Sequence, residues 1–124
     1  MNYQKMFNDK FCDFLKDLCQ VFPEDKDFKL ALSGVKLGLL ADVKSVHTVF
    51  HETVVIPYSK QIMDKDEAFF LEKSYEGEFV DNGIDSMVDI VDKLKSYWKN
   101  LSDSNRTTVW KYLQLLTTLS GKLV

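Results

Sequence analysis

The sequence predicts an all-α protein: a single-domain helical bundle of about five helices that ends in a C-terminal antiparallel helical hairpin. Apolar residues recur every three or four positions along several segments, which is the period of an amphipathic helix. Two Pro and five Gly in 124 residues are too few for a loop-rich or all-β chain. The 45% hydrophobic content is enough for one core, so we expect a single domain over residues 1–124.

The C-terminal hairpin is predicted around the stretch from Tyr97 to Leu116. Its upstream helix has a periodic apolar stripe made of Ile84, Met87, Val88, Val91, Leu94, Trp98 and Leu101. Its downstream helix should begin near Ser102 or Ser104, because short polar side chains accept hydrogen bonds from the free N–H groups of a first turn. Gly121 is expected to end that helix.

Two further helices are predicted in the N-terminal third of the chain. The first runs from about Tyr3 to Phe22, with a stripe of Phe and Leu on one face, and Pro23 should end it. The second, from Phe28 to Ala41, is apolar nearly all round, so we expect it to be the central, buried helix. Gly34 and Gly38 give it a flat side that is typical of close helix packing or a kink.

A third helix should follow, capped by Asp42 and ended by Pro57. His47 and His51 lie four residues apart beside its apolar face, a spacing that can hold two ligands of one metal ion. The pattern HTVFHE has no local third ligand and is not the HExxH of metalloproteases. We therefore expect two histidines at the edge of the core and no metal site.

Residues 58–83 are predicted to contain a short helix near Tyr58 and Ile62, then a turn-rich loop that ends at Gly83. Phe69 and Phe70 lie between these two parts. They are expected either to fill the core or, if exposed, to contact a partner.

The two thiols and the absence of export signals indicate a soluble, intracellular protein. Cys12 and Cys19 lie seven residues apart in one predicted helix, about 10 Å along its axis, so they cannot form a disulfide with each other. No basic and apolar leader follows Met1, and no apolar run reaches the roughly 20 residues that cross a bilayer.

Charge is segregated along the chain although the net charge is only −3. Residues 64–92 carry ten acidic residues against two lysines, whereas residues 93–124 carry six basic residues against one aspartate. Arg106 is the only arginine. The acidic and basic residues are expected either to lie on neighbouring solvated faces of the same molecule or to form a polar surface that binds a partner.

No sequence motif indicates catalysis or a cofactor. The chain has no P-loop, no dinucleotide fingerprint, no nucleophile elbow and no CxxC. We therefore expect a protein that is not an enzyme and needs no cofactor.

Two stretches of the chain, FNDKFCDFLKDLCQVFPE and YWKNLSDSNRTTVWKYLQLLTTLS, resemble the ends of small uncharacterised helical proteins of large double-stranded DNA viruses. In those proteins an aromatic, Lys-containing helix of the WKYLQ type closes the chain. The resemblance implies a viral origin, and with it a location in the cytoplasm or nucleus of a host cell. It carries over no functional residue.

The expected function is protein–protein interaction, because the chain is rich in aromatic residues and has no catalytic signature. The candidate partner-binding residues are Phe69, Phe70, Trp98, Trp110 and Tyr112. One alternative is association with nucleic acid through Lys93, Lys95, Lys99, Arg106, Lys111 and Lys122, although the net negative charge argues against it. Another alternative is homo-oligomerisation through an amphipathic face.

Overall fold

A computed structural model describes residues 2–68 and 94–123 of the chain. It has the helices α1 (Tyr3–Val21), α2 (Lys26–Ala41), α3 (Ser45–Phe50), α4 (Ile56–Met63) and α5 (Asp103–Leu123). No residue in the two described ranges belongs to a strand, so the predicted all-α class is confirmed. The predicted loop that ends at Gly83 and most of the upstream hairpin helix lie outside the described residues.

Helix α1 is the centre of the described fold, since it contacts α2, α3 and α5. Its predicted stripe is buried as a continuous row: Phe7, Phe11, Phe14, Leu15 and Leu18. Phe7 and Phe11 both pack edge-on against Phe50 of α3. The helix begins where the Asn2 side chain accepts a hydrogen bond from the Lys5 backbone N–H at 3.0 Å.

Helix α2 is not the central helix that its apolar sequence predicts. It buries one narrow face, with Phe28, Ala31 and Val35 in the core. Leu30 and Leu37 point away from the core and remain exposed. Periodicity could not reveal this arrangement, because a helix that is apolar on all sides has no preferred face.

The chain from Ser45 to Met63 is one continuous helical run, so Pro57 does not end it as predicted. A π-helical segment, His51–Val55, joins α3 to α4. The Ile56 backbone N–H bonds to the His51 carbonyl, five residues back. This wider turn accommodates Pro57, which has no N–H and whose ring crowds an ordinary α-helical turn. The Thr53 hydroxyl donates to the Val49 carbonyl at 2.7 Å and so stabilises the altered turn.

The described end of the predicted hairpin consists of helical residues 94–97, a 3₁₀ turn (Trp98–Asn100) and α5. The α5 start agrees with the prediction, since the Ser102 hydroxyl accepts a hydrogen bond from the Asn105 backbone N–H at 3.1 Å. The helix does not stop at Gly121 but continues to Leu123. In the described parts of the chain, no helix combines the length and apolar content needed to cross a bilayer.

Candidate functional site

The two tryptophans of the sequence-predicted partner site lie in the core. Trp98 is 0% exposed and Trp110 is 4% exposed. Their rings meet edge to face with centroids 5.5 Å apart, and the Arg106 guanidinium lies 5.7 Å from the centre of the Trp98 ring. This burial does not support a role for either tryptophan in contacting a partner.

Tyr112 is half-buried and belongs to the contact between α5 and α1. Its ring stacks on Phe14 with centroids 5.1 Å apart, and its hydroxyl donates to Asp17 at 2.5 Å. Burial, together with this hydrogen bond, raises the pKa of Tyr112 to about 12. Phe69 and Phe70, the other predicted partner residues, lie outside the described residues.

The basic residues predicted to bind nucleic acid do not form one surface within the described part of the chain. Arg106 is used inside the fold, since it donates to the carbonyls of Trp98 at 3.0 Å and Lys99 at 3.1 Å. Lys111 is exposed but lies five residues along α5, about 140° around the helix from Arg106. Lys122 lies over the Tyr3 ring at the far end of that helix.

The remaining three residues of that basic set are Lys93, Lys95 and Lys99, of which Lys99 is exposed. Lys95 is half-buried, and Lys93 lies outside the described residues. The described part of the chain therefore offers scattered lysines rather than a basic stripe along one element.

Six large apolar side chains of the described residues are at least half exposed; four of them lie on or just after α2, and the other two, Ile56 and Met63, lie on α4. Leu30 and Leu37 are each 68% exposed, Leu40 is 85% exposed, and Val43 is 56% exposed. Leu30 and Leu37 are seven residues apart, so they point in nearly the same direction. With the exposed Gly34 and Ala41 between and beside them, they form what we call the α2 outer face: Leu30, Gly34, Leu37, Leu40 and Ala41.

Two lysines border the α2 outer face on the side that is next to α1. Lys29 and Lys36 are exposed and seven residues apart, and each influences a cysteine of α1 electrostatically. The thiols concerned, Cys19 and Cys12, are half-buried and unpaired, and burial raises the pKa of both. The face is thus an apolar strip with a basic border, not a nucleophilic site.

Gly34 lies in the middle of this face, and no contact in the described fold requires a glycine there. A Cβ atom built on Gly34 would meet nothing within 4 Å. A glycine within a helix costs roughly 1 kcal/mol relative to alanine. Packing within the described fold therefore does not explain why position 34 has no side chain.

A second cluster brings together three polar side chains that are far apart in sequence. The Ser120 Oγ atom lies 3.0 Å from His47 Nε2 and 3.0 Å from His51 Nδ1. His47 is 7% exposed and Ser120 is 0% exposed. Burial, and secondarily the neighbouring His51, lowers the pKa of His47 below its ordinary value of 6.5. The sequence spacing identified the two histidines, but nothing in it pointed to Ser120.

This histidine and serine cluster has the hydrogen-bond geometry of a nucleophile and its base, but not the access. A nucleophilic serine must reach a substrate carbonyl, and Ser120 has no exposed surface. Metal-binding groups of three or more His, Cys, Asp or Glu side chains do not occur within residues 2–68 and 94–123. We interpret the cluster as a buried hydrogen-bonded link between the α3 region and α5.

An open depression of about 550 Å³ lies at the turn between α1 and α2. Phe22, Asp25 and Tyr97 are among its lining residues. The Tyr97 hydroxyl donates to Asp25 at 2.6 Å, and Asp25 also caps α2 by accepting from the Asp27 N–H. The polar groups of this depression therefore stabilise the turn between α1 and α2.

The arrangement of exposed apolar residues on α2 is thus the candidate functional site. Comparison of the chain with protein-family models, with curated proteins and with solved structures gave no match.

Proposed function

We propose that the protein is a protein–protein interaction module and that the α2 outer face is its binding surface. The single observation that carries the proposal is the exposure of Leu30, Leu37 and Leu40 at 68%, 68% and 85% on one helix. An exposed apolar strip with a charged border is characteristic of a surface that binds an apolar partner segment. The viral origin implied by the resemblance belongs to the same proposal and would make host or viral proteins the candidate partners.

The leucines of this face supply part of the free energy that a specific contact needs. Covering a largely exposed leucine contributes roughly 1 to 2 kcal/mol, so three leucines offer a few kcal/mol before the cost of association. Because association itself costs about 4 to 15 kcal/mol, the partner must also contact the residues around the leucines, as a helix lying against α2 would.

The α2 outer face can be tested by replacing one of its leucines with a charged residue. Leu37→Glu should leave the fold intact, since the side chain is exposed, and should weaken capture of a partner from a lysate of the source cells. Ile56→Glu is the matched control, because Ile56 is 67% exposed but lies on α4, away from the face. The captured protein is then purified. Calorimetry measures its affinity for the wild-type chain and for the two variants.

We expect Leu37→Glu to reduce that affinity at least tenfold and Ile56→Glu to leave it unchanged. Equal affinities for all three chains would refute the assignment of the surface. Failure to capture any protein with the wild-type chain, which also shows no self-association, would refute the function itself.

A further inference from the structure

Ser120 is the last fully buried residue of α5. It is 0% exposed, whereas Gly121 and Lys122 are exposed and Leu123 is half-buried. Beyond Ser120, the Lys122 ammonium lies 6.0 Å from the centre of the Tyr3 ring. Gly121 also weakens this part of the helix, since glycine has a lower helix propensity than alanine. The position of the last turn of α5 therefore depends strongly on the contact of Ser120 with the two histidines.

One hydroxyl group serves two imidazole nitrogens at this contact. The Ser120 Oγ atom is 3.0 Å from His47 Nε2 and 3.0 Å from His51 Nδ1. When both histidines are neutral, one nitrogen can accept the hydroxyl proton while the other donates to the oxygen. When both are protonated, both nitrogens donate, so the hydroxyl proton has no acceptor in the pair. Two positive charges would then repel each other across ring centroids that are 5.8 Å apart.

Charged groups on the surrounding elements of the described fold do not compensate a charge on His47. These groups are Lys5 and Asp9 on α1, Lys36 on α2, Asp42 and Lys44 before α3, Glu52 beside His51, and Lys122 on α5. All of them are exposed, and Lys5 is bound to Asp9. Burial lowers the pKa of His47 most, His51 lowers it further, and a hydrogen bond to the Ser120 backbone raises it. None of the three carboxylates is among the groups that shift this pKa.

A second buried hydroxyl on α5 favours opening at the same place. Thr117 is 8% exposed, and its hydroxyl has no hydrogen-bond partner within the described residues. It lies three residues before Ser120, so the two side chains are neighbours on one face of the helix. An unpaired hydroxyl is costly in the core and finds partners in water. Movement of this part of α5 out of the core would therefore hydrate Thr117 as well as the histidines.

We propose that His47, Ser120 and His51 form a pH switch, which keeps the end of α5 in the core while the histidines are neutral and releases it when they are protonated. The released part runs from Thr117 to Leu123. Its release uncovers the end of the core where the His47 ring meets Phe7 of α1. This inference concerns a different part of the molecule from the α2 outer face and does not depend on the proposed function.

The direction of the switch follows from proton binding. Release exposes the imidazoles to water, where a histidine has its ordinary pKa of 6.5, so the released form binds more protons near that pH than the closed form. Each histidine that is kept neutral in the closed form can raise the released fraction up to about tenfold for each pH unit below 6.5. The closed form is therefore favoured at pH 7, and release increases towards pH 5.

Hydrogen exchange measured by NMR can test the release, because it reports local opening separately for each helix end. Protection factors of the amides at 117–121 are compared at pH 7 and pH 5, after correction for the pH dependence of intrinsic exchange. The amides at 18–21, in the last turn of α1, are the matched control. The two histidines of the chain lie near the other end of that helix, where His47 meets Phe7.

We expect the protection factors at 117–121 to fall at least about fivefold from pH 7 to pH 5 and those at 18–21 to change less than about twofold. A fall of the same size at both helix ends would show that acid destabilises the whole fold, and it would overturn the switch. Unchanged protection at 117–121 would overturn it as well.

A double variant tests whether the histidines cause the change. In His47→Gln with His51→Asn, the glutamine amide replaces Nε2 and the asparagine amide replaces Nδ1, the two nitrogens that face Ser120. Amides do not titrate, so protection at 117–121 should no longer depend on pH. A double variant that keeps the wild-type fall would contradict the proposal.

The His47 ring signals of the wild-type chain provide a measurement that needs no variant. Their titration midpoint should lie below 6.5, because the closed form disfavours the charged ring. A midpoint at or above 6.5 would overturn the proposal, whether or not the double variant folds.

Discussion

Ser120 of α5 hydrogen-bonds to two histidines of a different helical segment, His47 and His51. Because this contact is buried, protonation of the histidines should affect the stability of the fold. A serine hydroxyl can donate one hydrogen bond and accept others, so it can satisfy both His47 Nε2 and His51 Nδ1 when the histidines are neutral. His47 also meets Phe7 edge to face, with ring centroids 5.2 Å apart. A charge placed on His47 would therefore lie in a largely apolar setting, next to a second imidazole.

The stability of the protein should fall as pH is lowered from 7 to 5. The pKa of His47 is lower in the folded chain than its ordinary value of 6.5, so the unfolded chain binds more protons near that pH. The contribution of His47 is fully present above the unfolded pKa and is lost as pH falls towards the folded pKa. Urea unfolding at several pH values measures it, with His47→Gln for comparison. Loss of stability with the same slope in His47→Gln would show that another group is responsible.

At the residue scale, the sequence predicts features that depend on local spacing but not contacts between distant segments. The position of His47 and His51 at the edge of the core followed from their four-residue spacing beside an apolar stripe. Ser120 could not be found in this way, because it lies 73 residues from His47 along the chain. A serine in a helix has no pattern that distinguishes a buried hydrogen-bond partner from a solvated residue.

At the scale of single elements, the junction before α5 depends on one side chain from the helix that follows it. Ser102 caps α5, and Arg106 reaches back to the carbonyls of Trp98 and Lys99 in the 3₁₀ turn. The Trp98 carbonyl also accepts a hydrogen bond from the Leu101 backbone N–H at 3.2 Å, so the guanidinium is a second donor to it. The arginine that sequence reasoning assigned to nucleic acid thus has a structural role in this junction.

Replacing Arg106 should destabilise the fold rather than simply remove a surface charge. Arg106→Ala loses both hydrogen bonds and the packing over Trp98, so we expect it to lower the free energy of unfolding by about 1 to 3 kcal/mol. Lys111→Ala removes the same charge from an exposed position and should change stability by less than about 0.5 kcal/mol. Denaturant unfolding of both variants checks this. Equal stability of the two would contradict the structural role of Arg106.

Helix α2 shows where prediction of an element succeeds and where it fails. Its existence and approximate limits followed from composition, and in the structure Asp25 caps its start. Its orientation did not follow, because leucine occurs on every side and only the fold determines which leucines are covered. The prediction of a central helix failed for this reason, and the same surplus of leucine creates the candidate binding surface.

At the scale of the whole molecule, the protein is a bundle organised around α1. Helix α5 covers one part of α1 and α2 covers another, while α4 packs against α5. The Gln114 side chain joins the last pair by donating to the carbonyls of Ile62 and Met63 at the end of α4. The all-α class could be predicted from helical periodicity, but the choice of central helix depends on contacts between segments that are distant in sequence.

The α2 outer face is an apolar surface that packing among the described residues leaves exposed. Helix α2 lies at the outside of the described bundle, with one face against α1 and α3 and the other exposed. A helix with apolar residues on both faces is normally covered on both. The central claim is therefore that a second molecule covers the outer face.

Hydroxyl-radical footprinting of Leu37 and Ile56 tests this claim most directly, because the two side chains are 68% and 67% exposed in the free chain. Their oxidation rates should be of similar size in dilute protein, after correction for intrinsic reactivity. When a partner binds, oxidation of Leu37 should slow several-fold while that of Ile56 stays constant. A ratio of the two rates that does not change when a partner binds would contradict the account.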